Sequence, residues 1–377
     1  MRVAVLGAGY AGLRVARRLE RSLPEDATVV VVDDTGTHLL QHEIHRVVRR
    51  PSVAEAIEVP LRDVLDRAEV RTARVTDVDP EAGVAELDGD ESLGYDYGVV
   101  CLGATTAYHG LPGVREHSTP LKDVADARAI RESFLDLCAT GGRAVVGGAG
   151  LSGVQVAGEL TALARERDAE TDVEVVLVER LESVAPSFPA HFREAVQSEL
   201  VARGVEVRTG VEVTRATDEA VEFERDALAY DLLVWTGGIA GSEAMAGERP
   251  RVRDTLRHTE STFVVGDAAR VVDTDGRAVP ASAASAVREA AVAADNVAAL
   301  ARRGTDPGAF DPRLDHYRFD VPGWVVSVGE GAVAQVGPTV LTGRAAKALK
   351  TSISANQLTA VAELERAVAF VEEERRA

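Results

Sequence analysis

The sequence contains very little lysine, and this scarcity is joined to a strong excess of acidic residues. Only three of its 42 basic residues are lysines, Lys122, Lys347 and Lys350, whereas 61 residues are acidic and the net charge is −19. Because nucleic acid is a polyanion, this charge disfavours it as a partner. The acidic, arginine-rich composition is typical of proteins from a salt-adapted archaeon, and a GC-rich genome is the alternative explanation.

Cysteines and long apolar runs are also scarce. Cys101 and Cys138 lie 37 residues apart, with no CxxC or CxxxxC spacing, which favours buried thiols in a reducing compartment and a core position for Cys101. No run of 18 or more apolar residues could span a bilayer. The chain starts directly with a strand pattern rather than a secretion signal, so we expect a cytoplasmic protein.

The chain opens with a pattern of strand, glycine-rich turn, amphipathic helix and strand, RVAVLGAGYAGLRVARRLERSLPEDATVVVVDD. Gly7 permits the tight bend, Gly9 lets the backbone approach a pyrophosphate, and Gly12 lets helix and strand pack closely. The amides at the helix N-terminus face the anion. Asp33, 21 residues after Gly12, ends the second strand, where its carboxylate can accept hydrogen bonds from a ribose. The pattern predicts dinucleotide binding.

A second unit of the same kind starts at GRAVVGGAGLSGVQVAGEL, with Gly148, Gly150 and Gly153 as its fingerprint. Its second strand ends at Glu179, 26 residues after Gly153. A carboxylate there accepts from a 2′-hydroxyl and repels a 2′-phosphate, which favours NAD over NADP. Two complete units predict two dinucleotides, FAD and NAD(H). Hydride passes from nicotinamide to flavin without a protein group in the covalent step, so no catalytic residue is required.

Several segments resemble type II NADH dehydrogenases of the two-dinucleotide flavoprotein superfamily. They include YDYGVVCLGATTAYHGLPGVREHSTPLKDVADARAIR, the two fingerprints, LLVWTGGIA and STFVVGDAARVVDTDGRAVPASA. The resemblance implies an α/β fold with two Rossmann-like domains, as in glutathione reductase, in which the NAD domain is inserted into the FAD domain. The expected ranges are 1–110 and 259–310 for FAD, 111–258 for NAD, and 311–377 for a C-terminal extension.

The same resemblance implies the residues that hold each cofactor. For FAD they are Gly7, Gly9, Tyr10, Ala11, Gly12, Asp33, Asp34, Gly103, Gly266, Asp267 and Ala283. For NAD they are Gly148, Gly150, Leu151, Ser152, Gly153, Gln155, Glu179, Gly237 and Gly238. In the family's glycine-aspartate motif, Gly266 and Asp267 would meet the ribityl and pyrophosphate end of FAD. The alanine-rich helix that follows would place Asp267 near the first glycine-rich turn.

The resemblance also implies the activity, an FAD-dependent NADH:quinone oxidoreductase, because thiol-dependent branches need cysteines that this chain lacks. Three positions depart from the family pattern. Gln155 replaces the usual glutamate, and Ala284 and Arg288 stand where the quinone-facing AQxAxQ motif has glutamines. These departures keep two alternatives open, a soluble NADH-dependent reductase of a small electron-transfer protein and a flavoprotein that binds NADH without turnover and acts as a sensor.

The histidines of THLLQHEIHRVV would share one face of a helix at positions 38, 42 and 45. HEIH is one residue short of the HExxH zinc motif and no cysteine supports a metal site, so we expect no metal. The family runs this segment past the flavin. We therefore expect Gln41 and His42, together with Ala284 and Arg288, to line the acceptor pocket.

The segment from Gly331 to Ala362 contains no acidic residue but includes Arg344, Lys347 and Lys350. The corresponding region of type II NADH dehydrogenases forms amphipathic helices on the membrane surface. Two interpretations of this segment stay open. It is a homodimer interface or packs against the acidic body of the same chain, or it attaches weakly to the inner face of the cell membrane.

Overall fold

The structure is a computed structural model and describes residues 1–304, 310, 312–321 and 323–361. Its helices are α1 (Tyr10–Ser22), α2 (His45–Arg49), α3 (Val53–Ile57), α4 (Val114–His117), α5 (Val124–Thr140), α6 (Leu151–Glu166), α7 (Ala190–Ala202), α8 (Ala283–Gly304) and α9 (Gly343–Val361). The described part leaves out residues 305–309, 311, 322 and 362–377. The predictions for the ranges 259–310, 311–377 and 331–362 fall outside it wherever they cover these residues.

The strands are mostly short, and two sets of five strands form parallel sheets. They are β1 (Arg2–Leu6), β2 (Thr28–Asp33), β3 (Thr37–Leu39), β4 (Glu58–Pro60), β5 (Glu69–Thr72), β6 (Val75–Asp79), β7 (Val84–Leu87), β8 (Glu91–Gly94), β9 (Tyr97–Val100), β10 (Thr105–Thr106), β11 (Thr119–Pro120), β12 (Gly142–Gly147), β13 (Val173–Glu179), β14 (Val205–Thr209), β15 (Arg215–Ala216), β16 (Ala220–Glu222), β17 (Ala227–Ala229), β18 (Leu232–Trp235), β19 (Ile239–Ala240), β20 (Arg251–Val252), β21 (Thr262–Val264), β22 (Arg270–Val271), β23 (Gly323–Val328), β24 (Gly331–Val336) and β25 (Thr339–Thr342).

The chain divides into two compact units. Unit 1 comprises residues 1–40, 58–105 and 240–321. It contains a sheet in the order β21-β9-β1-β2-β5 whose neighbouring strands are all parallel. The runs VAVL in β1 and VVVV in β2 are buried throughout, as expected for a parallel sheet covered on its two faces. Within this unit α8 packs against α1, and Ala290, Ala293 and Ala294 of α8 are fully buried.

Unit 2 comprises residues 41–57, 106–239 and 322–377. Its main sheet has the order β11-β18-β12-β13-β14, again with parallel neighbours. The antiparallel strands β23, β24 and β25 form a separate sheet, against which α9 packs. The first part of the acid-free segment is therefore a hairpin, whereas the resemblance had indicated amphipathic helices.

The predicted fold class is confirmed, since each unit contains a parallel sheet of the Rossmann-like kind. The division into units differs from the expected ranges. Residues 41–57 and 106–110, expected in the FAD domain, belong to unit 2, and residues 240–258, expected in the NAD domain, belong to unit 1. The expected extension is divided between the units at residue 321. Helix α2 packs against α5 and α6, and β23 and β24 pack against α6 and α7 respectively, which explains why these segments group with unit 2. Within the described residues, no helix combines the length and apolar composition needed to cross a bilayer.

Candidate functional site

The first glycine-rich turn connects β1 to α1 and has the backbone geometry that its spacing predicts. Gly7 lies at φ +91°, and a Cβ there would come within 2.6 Å of the Cys101 carbonyl oxygen. A Cβ on Gly12 would lie 1.8 Å from the Gly7 carbonyl oxygen. Around Gly9 no atom lies within 4 Å of such a Cβ. Space is thus left at the one glycine that should approach a phosphate.

The second turn, between β12 and α6, repeats this geometry closely. Gly148 lies at φ +94°, and a Cβ there would meet the Gly237 Cα at 2.7 Å. The Cβ of an alanine at position 153 would lie 1.9 Å from the Gly148 carbonyl oxygen, whereas position 150 again has open space. Gly9 and Gly150 are the N-cap residues of α1 and α6, and neither helix has a side-chain cap. The amides of each first turn are therefore available to an anion such as a pyrophosphate.

The two strand-terminal acids bind the glycine-rich turns directly. Asp33 Oδ2 accepts a hydrogen bond from the Ala8 amide at 2.9 Å, and Glu179 Oε2 accepts one from the Ala149 amide at 2.8 Å. The second oxygens accept from backbone amides just after each strand, at Thr35 (3.0 Å) and Leu181 (2.9 Å). The sequence predicted these acids only as ribose acceptors. Each also fixes its turn to the end of the strand and orients its carboxylate at the site.

The glycine-aspartate turn lies beside the first glycine-rich turn within unit 1. Gly266 has φ +66°, and a Cβ there would lie 3.3 Å from the Ala286 Cβ and 3.4 Å from the Ala11 Cβ. Asp267 follows at a half-buried position, and Arg249 donates to its carbonyl oxygen at 2.6 Å. Gly266 thus lies close to both α1 and α8.

The expectation of one helical face carrying three histidines was wrong. His38 lies in β3, His42 in a single 3-10 turn and His45 at the start of α2, because the chain folds as a strand before it turns. Among the described residues no group of three or more His, Cys, Asp or Glu side chains has the arrangement of a metal site. His38 is buried beneath the first turn, where its Nδ1 lies 2.9 Å from the Ala8 carbonyl oxygen.

A buried polar cluster in unit 2 centres on Lys350, which the sequence had suggested for a membrane surface. Its Nζ contacts the Ser327 hydroxyl and lies 3.5 Å from Glu43 Oε1 and 3.3 Å from His45 Nε2. Burial alone would raise the pKa of Glu43, but the charge of Lys350, with smaller contributions from nearby basic side chains, holds it below its usual range. Burial, aided by Lys350, lowers the pKa of His45.

Gln155 joins this cluster from α6. The hydrogen-bond network places its amide oxygen 3.2 Å from Lys350 Nζ and its nitrogen 3.3 Å from the Leu151 carbonyl oxygen. The two ends of the amide therefore have partners within the chain. From the sequence, Gln155 is expected among the NAD residues, and these contacts within the chain were not anticipated.

Helix α6, which follows the second turn, is also held by a buried ion pair. Arg49 Nε lies 2.6 Å from Glu159 Oε2, and the two side chains are 6% and 2% exposed. Glu166 on the same helix lies 3.2 Å from Arg49 Nη1. Neither partner was singled out from the sequence, because a lone arginine and a glutamate 110 residues away carry no local signal.

The other predicted site residues fall into two sets. Ala284 and the exposed Arg288, whose Nη1 donates to the Ala284 carbonyl oxygen at 3.2 Å, lie on α8 in unit 1, whereas Gln41 and His42 lie in unit 2. Gln41 donates to the Lys122 carbonyl oxygen at 3.1 Å, and His42 Nε2 lies 3.2 Å from the Ser354 hydroxyl. Unit 1 also contains Tyr10, Asp34, Gly103 and Ala283, and unit 2 contains Ser152, Gly237 and Gly238.

Comparison with protein families gives one match that covers most of the chain. The model of the pyridine nucleotide-disulphide oxidoreductase family matches residues 1–290. These residues include the two glycine-rich turns, the two strand-terminal acids and the glycine-aspartate turn.

Individual relatives carry names that agree with the predicted activity. The demethylphylloquinone reductase NdbB of Synechocystis sp. is 28% identical over 371 residues, which are 91% of this chain and 90% of that protein. The type II NADH:quinone oxidoreductase of Staphylococcus aureus is 26% identical over 328 residues, 78% and 81% of the two chains. The structure of NDH2 from Plasmodium falciparum in complex with NADH has the same fold, with a TM-score of 0.85 and 14% identity over 100% of this chain and 97% of that one.

Proposed function

Because the chain belongs to the pyridine nucleotide-disulphide oxidoreductase family, we propose that it is an FAD-dependent NADH dehydrogenase that passes electrons to a quinone. Unit 1 holds FAD and unit 2 holds NADH. The names of the relatives support the quinone as the class of acceptor. A small redox protein is the alternative acceptor, favoured by the replacement of two glutamines of the quinone-facing motif by Ala284 and Arg288.

The observation that carries the proposal is the duplication of one anion-binding geometry. Each unit has an uncapped helix N-terminus, a glycine with open space at the N-cap, and an acid bonded to the turn. An open glycine at an uncapped N-terminus is the feature that a pyrophosphate needs and that a turn with only a structural role does not need. Its occurrence in two units supports two dinucleotides rather than one.

The residues of the chain then have definite tasks. The first-turn amides of α1 and α6 bind the two pyrophosphates, and Asp33 and Glu179 accept from ribose hydroxyls. Asp267 orients the sugar-phosphate part of FAD. Bound FAD supplies an acceptor for the hydride of NADH and a donor of electrons to the quinone. The protein contributes binding, orientation and exclusion of water, and no side chain needs to form a covalent bond.

The proposal is tested by loading the purified protein with FAD and mixing it with nucleotide and a soluble quinone under anaerobic conditions. We expect NADH to bleach the flavin absorbance much faster than NADPH does, and the quinone to restore it. Reduction by NADH without reoxidation by any quinone, but with reoxidation by a ferredoxin, would support the redox-protein alternative. Reduction without reoxidation by either would support a sensor. A chain that cannot be loaded with FAD would contradict the proposal.

For the location of the protein we propose weak attachment to an anionic membrane surface through the described part of the segment 331–362. Lys350 is 8% exposed beside Glu43, so the surface offers Arg344 and the half-buried Lys347, at about 1 kcal/mol for each basic residue. Sedimentation with anionic vesicles should be weak and should disappear in the variant Arg344→Glu/Lys347→Glu. If the wild type ignores vesicles and this variant changes the oligomeric state, the segment is a homodimer interface instead.

A further inference from the structure

One carboxyl group of α8 is buried among mostly small side chains of the helix. Glu289 is 2% exposed, and its neighbours Ala286, Ala290 and Ala293 are buried as well. A carboxylate in such surroundings is costly unless it is hydrogen-bonded or protonated. Its Oε2 accepts a hydrogen bond from the Gly266 amide at 2.7 Å. The side chain therefore has one clear structural contact, the backbone of the glycine-aspartate turn.

That turn is the part of unit 1 that carries Asp267 to the first glycine-rich turn. Gly266 occupies a left-handed conformation at φ +66° and lies close to Ala11 of α1. Glu289, Asp267 and Arg249 line one small crevice together with Gly266 and Ser285. A change in the Glu289 side chain is thus transmitted through one hydrogen bond to the residue next to Asp267.

Charged and titratable groups on several segments of unit 1 surround Glu289. Burial, helped by the negative charge of Asp267, raises the pKa of Glu289 to about 7, although the Gly266 amide and the Arg249 guanidinium oppose this shift. Two further titratable groups are close enough for Glu289 to raise the pKa of each, Cys101, which directly follows β9, and Tyr317. Burial is the larger cause for these two groups, and they stay neutral near pH 7.

We propose that Glu289 is a positioning residue for FAD, that it holds the Gly266–Asp267 turn in the binding geometry, and that FAD binding is linked to proton uptake at its carboxyl. This inference rests on the proposed function, since it assumes that FAD binds at the first turn. A bound pyrophosphate brings negative charge toward a crevice that already contains Asp267. The protonated form of Glu289 is therefore favoured in the complex.

The direction of the pH dependence follows from linkage. A ligand that raises the pKa of a group binds most tightly below the free protein's pKa and more weakly as the pH rises through it. With a free-protein pKa of about 7 for Glu289, FAD affinity is constant in mild acid and falls above neutral pH. A pKa higher by one unit in the complex corresponds to a loss of about tenfold in affinity across the transition.

The test compares FAD dissociation constants between pH 6 and pH 8.5 for the wild type, Glu289→Gln and Glu289→Ala. The glutamine keeps an oxygen for the Gly266 amide and cannot ionise, so we expect near wild-type affinity at pH 6 and a flat profile. We expect the wild type to weaken about tenfold over this range, and Glu289→Ala to bind poorly at every pH. The exposed Glu260→Gln serves as the matched control and should keep the wild-type profile.

Calorimetry of FAD binding in two buffers of different ionisation enthalpy provides the second readout. We expect uptake of a substantial fraction of a proton per FAD near pH 7 in the wild type and almost none in Glu289→Gln, so the test does not depend on whether Glu289→Ala folds. Parallel pH profiles and equal proton uptake in these two proteins would overturn the inference. If NADH still reduces the bound flavin in that case, the proposed function survives, whereas failure of the wild type to bind FAD at any pH would count against the proposed function itself.

Discussion

The two glycine-rich turns have nearly the same backbone but different supports. Gly7 and Gly148 differ by only 3° in φ, at +91° and +94°, and the bonds from Ala8 to Asp33 and from Ala149 to Glu179 differ by 0.1 Å, at 2.9 and 2.8 Å. The supports are specific to each turn. Beside the first lies the glycine-aspartate turn with Glu289, and the helix after the second is held by buried charges. The shared geometry fixes what each turn can bind, and the supports distinguish the two sites.

The largest expected effect is on stability, and it differs between the ion pair that holds α6 and the ion pair that holds α1. Arg49→Met leaves Glu159 as an uncompensated buried charge and should lower the free energy of unfolding by about 3 to 5 kcal/mol. Arg18, which makes a bidentate pair with Asp295 at 2.6 Å but is 42% exposed, should lose less than about 1 kcal/mol in Arg18→Met. Urea unfolding of the two variants measures the difference.

The double variant Arg49→Met/Glu159→Leu checks the cause of this difference. Because an apolar pair removes the buried charge altogether, the double variant should recover most of the stability lost in Arg49→Met. Equal destabilisation by Arg49→Met and Arg18→Met would contradict the claim that burial distinguishes the supports of the two helices.

A second prediction uses the open space at Gly9 and Gly150. An added methyl group meets no atom within 4 Å at either position, so the variants should fold, but the methyl group occupies the space of the pyrophosphate. We expect Gly9→Ala to weaken FAD binding about 100-fold and Gly150→Ala to weaken NADH binding about as much, a loss of about 2.7 kcal/mol each. Each variant is the control for the other.

Both cofactors are titrated against both variants, so that each variant is tested for the loss of FAD and of NADH. Loss of FAD in Gly150→Ala together with loss of NADH in Gly9→Ala would show that the cofactors are assigned to the wrong turns. Loss of both cofactors in either variant, with thermal unfolding unchanged, would show that the sites are not independent.

The part of the site that could be predicted from the sequence is the part encoded by spacing along the chain. The glycines and strand-terminal acids lie within about thirty residues of one another, and hydrophobic periodicity places them on strand, turn and helix. The supports could not be predicted in this way. Glu289 reads as one more charge on an alanine-rich helix, and Lys350 reads as a surface cation until Glu43, 307 residues earlier, is found beside it. Pairings of this kind depend on tertiary packing.

A third prediction concerns the choice of nucleotide at the second turn. Glu179→Gln keeps one oxygen as an acceptor for the Ala149 amide, loses the acceptor of the Leu181 amide and removes the charge that repels a 2′-phosphate. Because the loss at Leu181 affects the binding of NADH and NADPH alike, the ratio of kcat/KM for NADH over NADPH should fall about tenfold. The matched variant Asp33→Asn should leave this ratio unchanged and weaken FAD retention. A changed ratio in Asp33→Asn with none in Glu179→Gln would reverse the roles of the two acids.

The smallest effect is expected beneath the turns, where Thr236 at the second site corresponds to Cys101 at the first. At the second site Thr236 Oγ1 donates to the Gly147 and Gly148 carbonyl oxygens at 3.0 and 2.8 Å, and it lies 2.7 Å from where a Cβ on Gly153 would be. The first site has Cys101 in the corresponding place, 3.2 Å from a Cβ on Gly12.

Thr236→Val keeps the shape of the side chain but leaves the carbonyl oxygens without this donor. It should therefore lower the free energy of unfolding by about 1 kcal/mol and weaken NADH binding about fivefold. Thr236→Ser, which keeps the hydroxyl group, should stay close to the wild type, and FAD affinity should be unchanged in the two variants. Titration of each cofactor and thermal unfolding measure these effects. A loss in the serine variant with none in the valine variant would show that the methyl group, rather than the hydrogen bonds, supports the second turn.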